Sequence, residues 1–146
     1  MQTKRYKPLC DGIYLGITLP TVLLTLGATV LLALAETSTL FVMIPLTLFV
    51  LYFSVASLFG YVELRESTLF IKYGPVLKRE IPYSKIRGVE KDKKFYSESM
   101  MSLKNALTHV NIKYNSFDVT TVSVIDNDGF ISELKERMAQ SANGAA

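Results

Sequence analysis

Two long runs without a charged side chain constrain this chain more than anything else in it. No residue between Asp11 and Glu36 carries a charge, none does between Glu36 and Glu63, and from Glu63 onward charges come every few positions. At about 1.5 Å of rise per residue the run 12–35 reaches roughly 36 Å, more than the roughly 30 Å hydrocarbon core of a bilayer. The run 40–62 is richer in large apolar groups, among them Phe41, Ile44, Leu46, Phe49, Leu51, Phe53, Leu58 and Phe59. Each favours insertion by a few tenths of a kcal/mol, and the preference accumulates along the run.

Only Glu36, Thr37, Ser38 and Thr39 separate the two runs, so the pattern predicts an antiparallel helical hairpin with a tight polar turn. A soluble protein would need a large partner to cover two helices that are apolar all round. Pro20 and Pro45 fall inside the runs, and neighbouring threonines such as Thr18, Thr21 and Thr47 are placed to re-satisfy the freed carbonyls. Lys4, Arg5 and Lys7 precede the first run, and Arg65, Lys72, Lys78 and Arg79 follow the second. The connecting turn has no basic residue, which predicts a multi-pass protein of the cell membrane with both termini cytoplasmic.

The basic start and the small residues Ala33-Leu34-Ala35 also have the pattern of a cleavable secretory leader. The apolar stretch is too long for such a leader's core, and a cut would leave the second run as a stop-transfer segment with the same cytoplasmic remainder. Cys10 is the only cysteine, which excludes a disulfide within the chain. Its plain reading is a small, weakly polar residue at the interface, against acylation or pairing between chains.

The organisation read from this pattern is a cytoplasmic segment 1–11, a membrane span 12–35, an extracytoplasmic turn 36–39, a second span 40–62, a cytoplasmic domain 63–139 and a flexible tail 140–146. From Tyr61 the periodicity changes to the alternation of strands, with Tyr61, Glu63 and Arg65 on one face and Val62 and Leu64 on the other. Leu69 to Tyr73 alternates again, Gly74-Pro75 turns the chain, and Val76 to Ile81 completes a three-strand meander. Pro82 opens a further strand with Ile86 and Val89 as inward anchors.

The segment 91–107 is the least regular, and its Met100-Met101 pair suits either core filling or an adaptable contact loop. Val110–Tyr114 and Phe117–Ile125 read as two more strands joined at Asn115-Ser116. Asp126, Asn127 and Asp128 supply helix-start chemistry. Phe130, Ile131, Leu134 and Met138 then line one helical face, with Glu133, Lys135, Glu136 and Arg137 turned to water. The expected fold class is a two-helix transmembrane hairpin followed by an antiparallel β-sheet or partly open barrel of five to seven strands, closed by a C-terminal α-helix.

Leu69-Phe70-Ile71-Lys72-Tyr73-Gly74-Pro75, the stretch from Ile81 to Val89, Ser102-Leu103 ahead of Val110–Tyr114, and Phe130–Leu134 together resemble bacterial pleckstrin-homology-like (PH-like) domains on membrane helices. These are small proteins of Gram-positive bacteria, mostly of unknown function. The resemblance covers nearly everything after the second run and implies a PH-like fold, without implying lipid binding. Val124 departs from it, because the family often shows proline just before the helix.

Between Lys78 and Lys94 the chain sets Lys78, Arg79, Lys85, Arg87, Lys91, Lys93 and Lys94 against Glu80, Glu90 and Asp92, a net of +4. Tethered near an anionic leaflet, such a stretch would be drawn to lipid headgroups or to a partner. Alternating strand positions also need solvated residues of this kind. Nucleic acid is a poor competitor at a net charge of +3 with no recognition helix or stacking pattern.

No catalytic, cofactor or metal constellation is legible. His109, the only histidine, has no cysteine or acidic cluster beside it. Asp126-Asn127-Asp128-Gly129 fails as a calcium loop, since Val124 and Lys135 fall at its first and last ligand positions. The reading is thus a non-enzymatic, membrane-anchored binding or scaffolding module for a protein segment, its own copies or anionic headgroups. The alternative is a protective or regulatory protein, an immunity or stress factor acting on another membrane component.

Overall fold

A computed structural model describes residues 2–97, 99 and 102–143. Met100 and Met101 lie outside the described residues. The two uncharged runs form α1 (Gly12–Ala35) and α2 (Leu40–Ala56), joined by Glu36 and a 3-10 turn at Thr37–Thr39. The stretches Gly12–Ala35 and Thr37–Ala56 are each long and apolar enough to cross a membrane. Helix α1 starts on Asp11, whose Oδ1 accepts from the Tyr14 N–H at 2.8 Å.

The helices continue through Pro20 and Pro45. Thr21 donates to the Ile17 carbonyl at 2.8 Å, and the Thr29 and Thr47 hydroxyls meet across the helix pair at 2.6 Å. Nearer the open end of the hairpin the Tyr14 hydroxyl donates to the Ser54 carbonyl at 2.8 Å.

Eight strands follow the alternation and its punctuation among the described residues: β1 (Lys4–Tyr6), β2 (Tyr61–Leu64), β3 (Thr68–Lys72), β4 (Lys78–Pro82), β5 (Ile86–Lys93), β6 (Ser102–Leu103), β7 (Thr108–Tyr114) and β8 (Asp118–Val122). They form two sheets, ordered β1-β2-β3-β4 and β5-β7-β8-β6. All pairings are antiparallel except the short β6 with β8. The expected PH-like architecture is present, with β1 and β6 as short additions.

Strand β1 changes the organisation most. It precedes the hairpin in sequence yet pairs with β2 beyond it, Lys4 opposite Leu64 and Tyr6 opposite Val62. The whole helical hairpin is therefore the connection between two adjacent strands of one sheet. The chain then crosses to the second sheet, where the Leu9 N–H donates to the Ser123 carbonyl at 2.9 Å and Pro8 bridges Val124. Residues 4–9, to which the sequence assigns no structure, close one corner of the barrel.

The inner faces bury Val62, Leu64, Leu69, Ile71, Ile81, Val110, Ile112 and Val122 almost completely. Each such side chain contributes about 1.5–3 kcal/mol relative to exposure. Helix α3 (Asn127–Asn143) lays Phe130 and Leu134 across the opening, and the Tyr6 ring meets Phe130 edge-on at 5.2 Å.

The start of α3 is capped by Asp126, whose Oδ1 accepts from the Gly129 N–H at 2.9 Å. Val124, where the family it resembles often has proline, donates its N–H to Asn127 Oδ1 at 3.1 Å, a bond proline could not make. Arg137 is a correction to the sequence reading. It is only 7 % exposed, because its position three residues after Leu134 places it on the border of the apolar stripe.

Candidate functional site

One end of the β domain is built onto the hairpin. Asp11 joins the two, since its Oδ2 accepts from the Leu107 N–H at 2.7 Å while its Oδ1 caps α1. Burial works to raise the Asp11 pKa, but the amides of Tyr14 and Leu107 outweigh it and hold the carboxyl below the usual range. The β3–β4 turn is pressed against the end of α2, where a Cβ on Gly74 would lie 2.9 Å from that of Ala56. The loop after β5 reaches the start of α1, and Phe95 shares a cavity of about 110 Å³ with Ile13, Ile17 and Leu107. Lys104 fastens that loop by donating to the carbonyls of Lys94 (2.6 Å) and Tyr96 (2.7 Å).

The opposite end gathers three turns. The Tyr83 N–H donates to the Ser67 carbonyl at 3.3 Å and the Asn115 N–H to the Lys85 carbonyl at 3.0 Å. Asn115 has φ 50°, the left-handed conformation that a short polar side chain tolerates in a tight turn.

The seven basic residues read as one stretch divide between these ends. Lys78 stands opposite Lys72 where β4 leaves the hairpin-side turn. Arg79, in the inward row with Tyr6, Val62 and Ile71, donates to the Tyr114 hydroxyl across the barrel. Lys93 ends β5 opposite Thr108, and Lys94 pairs with Asp92 at 2.7 Å. Lys91 is turned to Asp128 on the first turn of α3 at 2.7 Å. Lys85 and Arg87 sit at the far end, where Arg87 donates to the carbonyls of Asn115 and Ser116 at 3.3 Å each. Strand β5 runs the length of the domain, so residues adjacent in sequence finish at opposite ends.

The most developed polar network joins β1 to α3 and is not visible in the sequence. Glu133 accepts from Lys4 (2.6 Å), Arg137 (2.6 Å) and the Tyr6 hydroxyl (3.0 Å). Burial would raise its pKa, but the bonds from Lys4, Arg137 and Tyr6 prevail and hold it at about 2. Arg137 also donates to the carbonyls of Gln2 (2.9 Å), Leu64 (3.2 Å) and Arg65 (3.0 Å). A groove of about 500 Å³ lined by Gln2, Thr3, Lys4, Glu136 and Gln140 runs beside this network. The i,i+4 spacing of Glu133 and Arg137 was the only local signal for it.

The outer face of the first sheet carries a second network. Glu63, 7 % exposed, accepts from Arg5 at 2.9 Å and Arg65 at 3.2 Å. Arg5 lies 4.1 Å from the centre of the Tyr61 ring and Arg65 3.9 Å from that of Phe70, so the guanidiniums cover the aromatic faces.

His109 is fully buried and donates from Nδ1 to the Leu107 carbonyl at 2.8 Å, while its Nε2 has no hydrogen-bond partner. Among the described residues no group of three or more His, Cys, Asp and Glu side chains is arranged to hold a metal. A family model described as a bacterial PH domain matches residues 60–138. No curated protein and no solved structure matches the chain.

Proposed function

The chain belongs to the bacterial PH domain family, and from that premise we propose that it is a non-enzymatic binding or scaffolding module anchored in the cell membrane by its helical hairpin. The carrying observation is that the hairpin connects β1 to β2, two antiparallel neighbours of one sheet. A domain tethered by one flexible linker swivels, whereas this one is attached at both flanks. Its orientation to any bilayer the helices cross is then fixed, and weak contacts at the surface gain from the high local concentration.

The same connection supports an uncleaved N-terminus. A cut after Ala35 would remove β1, and with it Tyr6 from the core and Lys4 from Glu133. That both flanks of the hairpin lie in one sheet supports a single side of the membrane for both, and the basic residues around them favour the cytoplasmic side.

The test is topology. With Cys10 replaced by serine, single cysteines at Ser38 in the helix–helix turn and at Ser116 in the far turn are treated with an impermeant maleimide. Ser38→Cys should label in intact cells and Ser116→Cys only after lysis, with the chain retained in membranes through alkaline extraction. Release by alkali, or labelling of both sites in intact cells, would overturn the proposal.

A further inference from the structure

Resting on that membrane placement, we propose that the hairpin-side end of the β domain is itself a lipid-contact surface. The β3–β4 turn and the pair Phe95-Tyr96 after β5 enter the headgroup layer of an anionic bilayer on either side of the helices.

Among the described residues the β domain exposes six large apolar side chains, of which four gather at its hairpin-side end while Ile125 (66 % exposed) precedes α3 and Phe117 lies apart. Val76 (72 % exposed) and Leu77 (39 %) form the tip of the β3–β4 turn, and Phe95 (70 %) and Tyr96 (62 %) a second tip after β5. The first tip touches the hairpin through Gly74 at Ala56, and Phe95 of the second lines one cavity with Ile13 and Ile17 of α1. Ile17 lies five residues into α1, roughly 7 Å along its axis. A bilayer deep enough to cover the apolar side chains of α1 therefore reaches Phe95. Phe117 stands alone at the opposite end, 97 % exposed.

The flanking charges suit an anionic surface. Lys72 and Lys78 bracket the first tip, and Lys93 and Lys94 precede the second. Among the described residues, Asp11 and Asp92 at this end are already engaged, the first by backbone amides and the second by Lys94. Apolar tips between lysines whose stems can lie along the acyl boundary while their ammoniums meet phosphate are the chemistry of interfacial insertion.

The chain has no tryptophan, so single tryptophans report without background. Phe95→Trp, Val76→Trp, Phe117→Trp and Leu24→Trp are introduced one at a time into the full chain in phosphatidylglycerol nanodiscs carrying acyl-brominated lipid. Leu24→Trp, within α1, should be quenched most. Phe95→Trp and Val76→Trp should be quenched at least threefold more than Phe117→Trp, with blue-shifted emission. Adding Lys72→Glu, Lys78→Glu and Lys93→Glu to Phe95→Trp should cut its quenching at least twofold. Tips as unquenched as Phe117→Trp, beside a quenched Leu24→Trp, would overturn the inference while leaving the anchor intact. An unquenched Leu24→Trp would overturn the membrane placement itself. Quenching unaffected by the three charge reversals would overturn the anionic part of the recognition.

Discussion

The hairpin and the β domain hide apolar surface by opposite means. In the domain Val62, Leu64, Ile71 and Phe130 are fully covered by their own chain. In the hairpin Leu24, Leu34 and Phe41 are 73 %, 81 % and 88 % exposed, and polar ties join the helices from Tyr14 to Ser54 and from Thr29 to Thr47. The domain carries its own solvent-excluding core, and the hairpin depends on its surroundings for one. The two parts nevertheless do not divide along the sequence, since the domain's first strand lies on the far side of the hairpin.

The largest expected effect tests that division. Replacing residues 10–59 with a short Asn-Gly turn would join β1 directly to β2, and the product should be soluble without detergent and unfold cooperatively. The fragment 60–143, which lacks β1, should fail to fold. It loses Tyr6 from the core, the β1 ladder and the Lys4 contact with Glu133. These exceed about 5 kcal/mol together, comparable to the whole stability of a small domain. A fragment 60–143 as stable as the spliced chain in urea would show that the domain is contiguous after all.

Much of this fold was legible because its signals are local. The change from unbroken apolar runs to alternation at Tyr61, the Gly74-Pro75 turn, the inward Ile86 and Val89 and the capping Asp126 are each set by neighbours in sequence. Strand β1 was not legible, since two charged residues and one tyrosine carry no period of their own and acquire strand geometry only by pairing across more than fifty residues. Arg137 was misread for a related reason. A helix pattern gives the direction of a side chain, while the carbonyls of Gln2, Leu64 and Arg65 that receive this one come from distant segments. The basic residues fall within one stretch of the sequence, but the length of β5 spreads them over both ends of the domain.

Arg137→Ala should have the next largest effect, about 3 kcal/mol by denaturant midpoint in detergent. It strips three carbonyls and the Glu133 carboxylate of a buried donor. Arg137→Lys should recover only part of it, because one ammonium cannot reproduce the guanidinium's spread of donors. A loss below 0.5 kcal/mol for the alanine variant would mean that β1 is held by its ladder alone.

Glu133 ties the same contact to pH. Its folded pKa of about 2 lies below the ordinary value of 4.5. The stabilisation is therefore fully present above pH 4.5 and is lost as the pH falls toward 2. The stability difference between the native chain and Glu133→Gln should be on the order of 2 kcal/mol at pH 7 and shrink across that window. A difference constant down to pH 2.5 would remove the ionised carboxylate from the account.

At the joint between the two parts, Asp11→Ala should cost about 1 kcal/mol, within the range of a lost helix cap. The Leu107 amide loses its acceptor as well, so protection from hydrogen exchange should fall at both Tyr14 and Leu107. Loss at Tyr14 alone would mean that Asp11 caps the helix without coupling it to the domain.

The smallest effect is expected at the ion pair between Lys91 and Asp128. It is short, at 2.7 Å, yet its partners are 43 % and 76 % exposed, so water screens the attraction and ordering two long side chains offsets most of what remains. Lys91→Ala should change stability by less than about 0.5 kcal/mol. The contrast with Arg137 is the point of the measurement, because each cation ties α3 to a strand segment, Lys91 from β5 to Asp128 and Arg137 from α3 itself to the carbonyls of Leu64 and Arg65. If Lys91→Ala proved as damaging as Arg137→Ala, burial would not be what distinguishes them, and the β1–α3 contact would lose its special place in holding the split domain together.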